Sequence, residues 1–140
     1  MHNFPQDNLQ SIDLNQLKLN NNWQSQFRLL TQWGELIKTK TELRTQNNRV
    51  IGCETAAWLA HQQNEEMHYF YFDGDSKIIR GLTAVVLSMV NGKTTQQITE
   101  QNLEQLLQNL GIRKHLTPSR SNGFRAILSR VYAFSGADKI

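Results

Sequence analysis

The sequence predicts an α+β fold, a small antiparallel sheet of about three strands packed against several helices. Residues 67–72 form an aromatic-rich run bounded by turn residues, the signature of a partly buried strand. Immediately after it, Ile79, Leu82, Val86 and Met89 recur at helical spacing. Further helical patterns lie on both sides, and helices that cover the apolar face of a sheet are the layered solution to such a succession.

Taken in order, a helical signal opens near Asp7, with Leu9, Ile12, Leu14 and Leu17 on a loose apolar stripe. A firmer helix follows Asn22, a residue type suited to an N-cap, and carries Trp23, Phe27, Leu30, Trp33, Leu36 and Ile37, with Gly34 tolerated inside. Residues 39–48 are polar and read as a connection. Val50-Ile51 is the first short β segment and leads into a Gly52-Cys53 turn. Residues 55–61 supply the second strand and residues 67–72 the third, with a turn at 62–65. Asp73-Gly74-Asp75-Ser76 ends that strand and caps the helix whose apolar face covers the sheet. Asn91-Gly92-Lys93 stops it. Thr95 opens another helix through Ile98, Leu103, Leu106, Leu107 and Leu110, with Gly111 as its stop. Pro118 then starts the last helix, because the N–H it lacks has no partner at a first helical position; Phe124, Leu128 and Val131 face the core.

At 140 residues and 39% hydrophobic content, the chain suits one core and a single domain over residues 1–140. The longest apolar stretch, residues 78–90, is broken by Arg80, Gly81, Thr83 and Ser88, so it reads as a core helix and not as a membrane span. The first residues lack the cationic start and apolar run of a secretory signal, and a single cysteine suits a reducing compartment. A cytoplasmic protein is expected. Net charge is +3, with Arg113, Lys114, Arg120, Arg125 and Arg130 in a stretch free of acidic residues. That stretch lacks interleaved exposed aromatics, a recognised binding motif and dense basic clusters, so nucleic acid is not the expected partner. Its cations suit a solvated face of the last helix, while Arg120, near the helix start, is positioned to turn toward a functional site.

Cys53 is the only cysteine, which excludes an internal disulfide and a thiolate zinc site; His2, His61, His68 and His115 show no paired ligand spacing. What remains is an inert buried thiol or a single reactive sulfur. Residue type alone favours the inert thiol. The preceding glycine favours a turn, where reactive side chains gather. A cysteine hydrolase would need His61, His68 or His115 as base and an oxyanion hole, and no local signature supplies either. His61 and His68, beside a turn, read as solvated strand-end residues. A non-catalytic interaction module with a structural Cys53 is the other alternative.

Three separated segments stand out together: Gly52-Cys53 with Trp58-Leu59; Gly74-Asp75-Ser76 with Ile79-Arg80-Gly81-Leu82 and Ala84-Val85-Val86; and His115-Leu116-Thr117-Pro118-Ser119-Arg120-Ser121 with Gly123. In this order and spacing they resemble the SufE family of sulfur-acceptor proteins, including its CsdE branch, from about Trp23 to about Leu128. Met67-His68 and Gly92-Lys93-Thr94 look closer to the CsdE branch, and residues 115–121 to SufE itself. The resemblance implies a SufE/IscU-like fold. It further implies that Cys53 takes sulfane sulfur as a persulfide from a pyridoxal-phosphate cysteine desulfurase (SufS- or CsdA-like). Such proteins stimulate the desulfurase and pass sulfur to an iron-sulfur scaffold or another acceptor. They are accessory proteins, not enzymes, and the cofactor belongs to the partner. Arg120 is the family-matched cation, a thiolate stabiliser or partner contact, with anchoring of the last helix as its structural alternative. Trp58 reads as a packed strand residue, and Asp75 and Ser76 as helix caps. A persulfide is vulnerable to thiols and oxidants, so a loop that shelters Cys53 is expected, with Val50, Ile51, Ala56 and Ala57 around it.

Overall fold

A computed structural model describes Phe4 and residues 7–20 and 22–137. The first apolar stripe forms a 3-10 turn, Leu9–Ser11, and a short helix α1, Leu14–Leu19, whose N-cap Asp13 accepts the Asn15 N–H at 3.0 Å. Helix α2, Trp23–Gly34, begins at Asn22 as expected, the Asn22 Oδ1 accepting the Ser25 N–H at 2.8 Å. It ends sooner than the spacing predicts. Leu36 and Ile37 lie in the turn beyond it, where the chain swings so that the Lys40 N–H reaches the Asp73 carboxylate at 3.0 Å.

The sheet has three strands in the order β1-β2-β3: Ala57–Asn64, Met67–Gly74 and Lys93–Thr94. The β1–β2 hairpin is antiparallel and pairs Asn64 with Met67 and Ala57 with Gly74. Its two-residue turn falls at Glu65-Glu66, later than residues 62–65, and puts Glu65 at φ +58°. The identity of the third strand corrects the sequence reading. Val50-Ile51 is not a strand: Arg49 makes one isolated bridge to Trp58, the Val50 N–H bonds the Ala57 carbonyl at 2.9 Å, and the chain then turns away at Ile51-Gly52. Lys93-Thr94 takes the place beside Met67 and His68, because Gly92 turns the chain back after helix α3 and donates to the His68 carbonyl at 2.8 Å.

Helix α3, Lys77–Val90, starts at Ser76, whose Oγ accepts the Ile79 N–H at 3.2 Å. It is buried on nearly every side and not on one face alone, since it packs against α2, β2 and the last helix, α6, Pro118–Ser135. The contact with α2 runs backbone to backbone: a Cβ on Gly34 would lie 2.9 Å from the Gly81 nitrogen, and one on Gly81 would overlap the Leu30 carbonyl. The helix predicted from Thr95 to Leu110 is two helices, α4, Thr95–Glu100, and α5, Leu103–Asn109. Asn102 between them is left-handed (φ +51°) and caps α5 with its side chain, which a continuous helix forbids.

His61 and His68 are not solvated strand ends. The later turn places both on the core face of the hairpin, with His68 only 2% exposed. Thr95 gives its one hydroxyl proton to the Ser135 carbonyl at 2.6 Å, so at Thr95 Oγ1, 2.8 Å away, His68 Nε2 is the donor. The lone pair of His68 Nδ1 then accepts from His61 Nε2 at 2.8 Å. Both rings are neutral in this chain of bonds. Burial holds both below the ordinary histidine range, and for His61 the neighbouring His68 adds to it.

Candidate functional site

Residues 51–56 form a loop held at its neck. The Val50 N–H to Ala57 carbonyl bond closes one side, and the Asp75 N–H bonds the Ala56 carbonyl at 3.0 Å on the other. Val50 and Ala57 are buried and root the loop in the core. Between them the backbone reverses at Gly52, whose φ of +97° is open to glycine and strained for other residues. Cys53 follows, a free thiol, partly buried and packed against the main core. Of the apolar residues expected to shelter it, Ile51 does not: it is 75% exposed just past the neck.

The shelter comes from α6, one helical turn per loop residue. Arg130 donates to the Arg49 carbonyl at 2.7 Å, and a Cβ on Gly52 would meet the Ala126 Cβ at 3.7 Å. A Cβ on Gly123 would stand 2.8 Å from the Cys53 Sγ, and Ser119 donates to the Glu54 carboxylate. Residues 119, 123, 126 and 130 recur at i, i+4, i+7 and i+11, so a single helix face carries the loop. Glu54, Ala126 and Arg130 had no place in the sequence-based site, and Ser119 and Gly123 entered only as members of the family-like segment around Arg120. The signal was present as a polar, small, small, polar stripe on a helix otherwise read for its apolar residues.

On its other side the loop borders a cleft of about 300 Å³ lined by Cys53, Glu54, Thr55, Ser76, Ile79, Thr117, Ser119 and Arg120. Ser76 and Ile79 belong to the first turn of α3; Thr117, Ser119 and Arg120 belong to that of α6, where Thr117 Oγ1 accepts the Arg120 N–H at 3.3 Å. Two helix N-termini, each carrying the positive end of its macrodipole, thus open on the cleft beside the cysteine. Arg120 is the one cation among the described residues that line the cleft. Arg120 is steadied by a bond to the His115 carbonyl at 3.4 Å and by the Phe27 ring, whose centroid lies 5.6 Å from its guanidinium carbon.

Cys53 and Arg120 are therefore brought to one cleft. The histidines are not. Among the described residues no histidine lines the cleft, and His2 lies outside them. His115 is 2% exposed and points its Nε2 at Gln26 Oε1, 3.1 Å away, while the Gln26 amide nitrogen donates to the Leu17 and Asn20 carbonyls. Burial, then the cations Lys114 and Arg120, hold His115 below its ordinary range. Among the described residues, the histidine base that a cysteine hydrolase needs is not found in the cleft with Cys53. Among the described residues no group of three or more His, Cys, Asp and Glu side chains is arranged to hold a metal, and no helix is long and apolar enough to cross a membrane. Trp58 is packed as expected, between Arg44 at 4.5 Å and Arg49 at 5.2 Å. Ser76 caps α3, whereas Asp75 pairs with Arg44 at 3.3 Å.

The family model for SufE, an Fe-S metabolism associated domain, matches residues 12–135. The chain belongs to the SufE family. The sulfur acceptor protein CsdE of Escherichia coli (strain K12) is 36% identical over 114 residues, which is 79% of this chain and 77% of that one. A hypothetical protein from Thermus thermophilus, solved in solution, shares the fold with a TM-score of 0.68, covering 86% of this chain and 88% of its own, at 16% identity. Membership in the SufE family links the α+β scaffold to Fe-S metabolism.

Proposed function

We propose that this chain is a sulfur acceptor that takes sulfane sulfur from a pyridoxal-phosphate cysteine desulfurase onto Cys53, stimulates that enzyme by clearing its persulfide, and delivers the sulfur to an iron-sulfur scaffold or another sulfur-requiring acceptor. It is an accessory carrier, working in the cytoplasm, and the pyridoxal phosphate is the partner's. The observation that carries the reading is the lone thiol held between a helix seat and a cleft at two helix N-termini with Arg120 on its wall.

The chemistry is thiol-disulfide exchange. The Cys53 thiolate attacks the outer sulfur of the donor's persulfide; a new S–S bond forms as the donor's S–S bond breaks, and the donor sulfur leaves as thiolate with the bonding pair. No external oxidant or reductant enters, and one protein thiol suffices on the acceptor. The two helix N-termini and Arg120 border the cleft in which the negative charge passes from one sulfur to the other.

Incubation with a desulfurase and free cysteine is expected to add one sulfur atom to Cys53, seen by intact mass and removed by reductant, with Cys53→Ser taking none. Arg120→Met is expected to slow loading while leaving the fold unchanged by circular dichroism. A chain that binds the desulfurase, accelerates cysteine turnover and never carries a reducible adduct would overturn the proposal.

A further inference from the structure

We propose that Gly123 is a positioning residue, the seat on which α6 holds the Cys53 sulfur so that its free side faces the cleft; the inference rests on the reading of Cys53 as a sulfur carrier. Glycine is a poor choice in the interior of an eighteen-residue helix, because it loses more backbone freedom on folding than any other residue. Its backbone does not call for it either, since Gly123 is not among the residues with positive φ. What a side chain there would strike is the cysteine: the three nearest atoms to an added Cβ are Cys53 Sγ at 2.8 Å and Cys53 Cα and Cβ at 3.6 Å. Only the sulfur is too close. Glycine at 123 is therefore explained by the sulfur it touches.

The seat has a directional consequence. With the helix backbone against one flank of Sγ, a nucleophile or an outer sulfur atom has room only on the flank that opens to the cleft. The loop is held in register on both sides of the seat, by Arg130 on the Arg49 carbonyl and by Ser119 on Glu54. A methyl group at 123 would be relieved by rotating Cys53 about χ1, away from the helix and toward solvent, at the cost of a less favourable thiol pose and with the loop backbone at ordinary contact distance.

The test uses the full chain without desulfurase, so that its outcome is independent of whether sulfur loading succeeds. In Gly123→Ala, alkylation of Cys53 by iodoacetamide is expected to rise about five- to tenfold over the native chain, with circular dichroism unchanged. Cys53 loaded with inorganic polysulfide is expected to lose its outer sulfur to glutathione faster in the variant. A folded Gly123→Ala whose thiol reacts no faster than native overturns the seat. A stability cycle decides the matter even if the single variant unfolds: with Cys53→Ala in place the clashing atom is gone, and Gly123→Ala is expected to be neutral or stabilising. If the alanine destabilises equally with and without the Cys53 sulfur, the glycine serves the helix packing and the proposal fails.

Discussion

Asp73 offers the clearest quantitative test of what holds the site's neck. It is fully buried on β2, and both its oxygens are used: Oδ2 accepts the Lys40 N–H at 3.0 Å and Arg44 Nε at 2.9 Å, while Oδ1 accepts an Arg80 guanidinium nitrogen at 2.8 Å and the Gly74 N–H at 2.9 Å. Asp73→Asn keeps the shape, removes the charge, and turns an NH2 group toward two of those donors. Removing one partner of a buried ion pair costs about 3–5 kcal/mol. The lower end applies, because Arg44 is 31% exposed and relaxes into water, and Arg80 at 15% keeps the Gly74 carbonyl at 2.9 Å. At roughly 0.3 kcal/mol/K of unfolding entropy for a chain of this length, a loss of about 3 kcal/mol lowers the melting midpoint by about 10 °C. Burial alone would push the Asp73 carboxyl up; the Arg44 bond, the Lys40 N–H and Arg80 outweigh it and hold it below its ordinary 3.8. The unfolded chain thus takes up the proton first as pH falls. The contribution is fully present above pH 3.8 and is lost as pH drops through the lower folded value. Urea unfolding of both proteins at neutral and acidic pH measures this directly. A gap below about 1 kcal/mol at pH 7, or one that does not narrow in acid, would refute the ion-pair account.

Two further outcomes follow from the packing. His61, His68 and His115 are all held below their ordinary 6.5, so stability is full above that value and falls as pH drops through the folded ones; the melting midpoint should decline from pH 7 to pH 5, and His68→Gln, which keeps a donor for Thr95, should reduce the decline, leaving the His115 share and the part of the His61 share that its own burial causes. Gly81→Ala puts a methyl group into the Leu30 carbonyl, where backbone and not a flexible side chain must yield; a loss of about 3 kcal/mol or more by urea unfolding is expected, and a neutral variant would mean that α2 and α3 separate freely.

The helices and the hairpin were readable because their signals are local. Asn22, Ser76 and Thr117 cap the helices they precede, and the aromatic alternation after Met67 needs only its own strand. The third strand was not readable, because Val50-Ile51 and Lys93-Thr94 are both short and compete for identity through partners far along the chain. The Glu65-Glu66 turn carries no glycine or asparagine, so the hairpin's end, and with it the burial of His68, had no local marker. Cys53 and Arg120 were found through motif spacing, which is sequential information. The helix face under the loop is spatial information: Ser119 lies 65 residues from Glu54, and Arg130 lies 81 from Arg49.

The energetics of that face bear on how a half-buried sulfur meets another protein. The loop's neck is fixed by bonds from Val50 and Asp75, so any presentation of the sulfur is confined to residues 51–56 and leaves the core intact. Between them stand a side-chain bond from Ser119 to the exposed Glu54, the contact of the sulfur with Gly123, and the packing of the half-buried Cys53 on the core. A bond to a carboxylate contributes about 1.5–3 kcal/mol net, toward the low end for an exposed one, whose loss is partly repaid by water. Lifting the sulfur therefore costs far less than the roughly 5–15 kcal/mol that separates folded from unfolded chains. Ile51, 75% exposed just past the neck, is apolar surface that a covering partner would bury, and a large aliphatic side chain so covered contributes about 1.5–3 kcal/mol. The contacts that shelter the thiol in isolation are thus few and local enough for the loop to open while the rest of the fold stays intact.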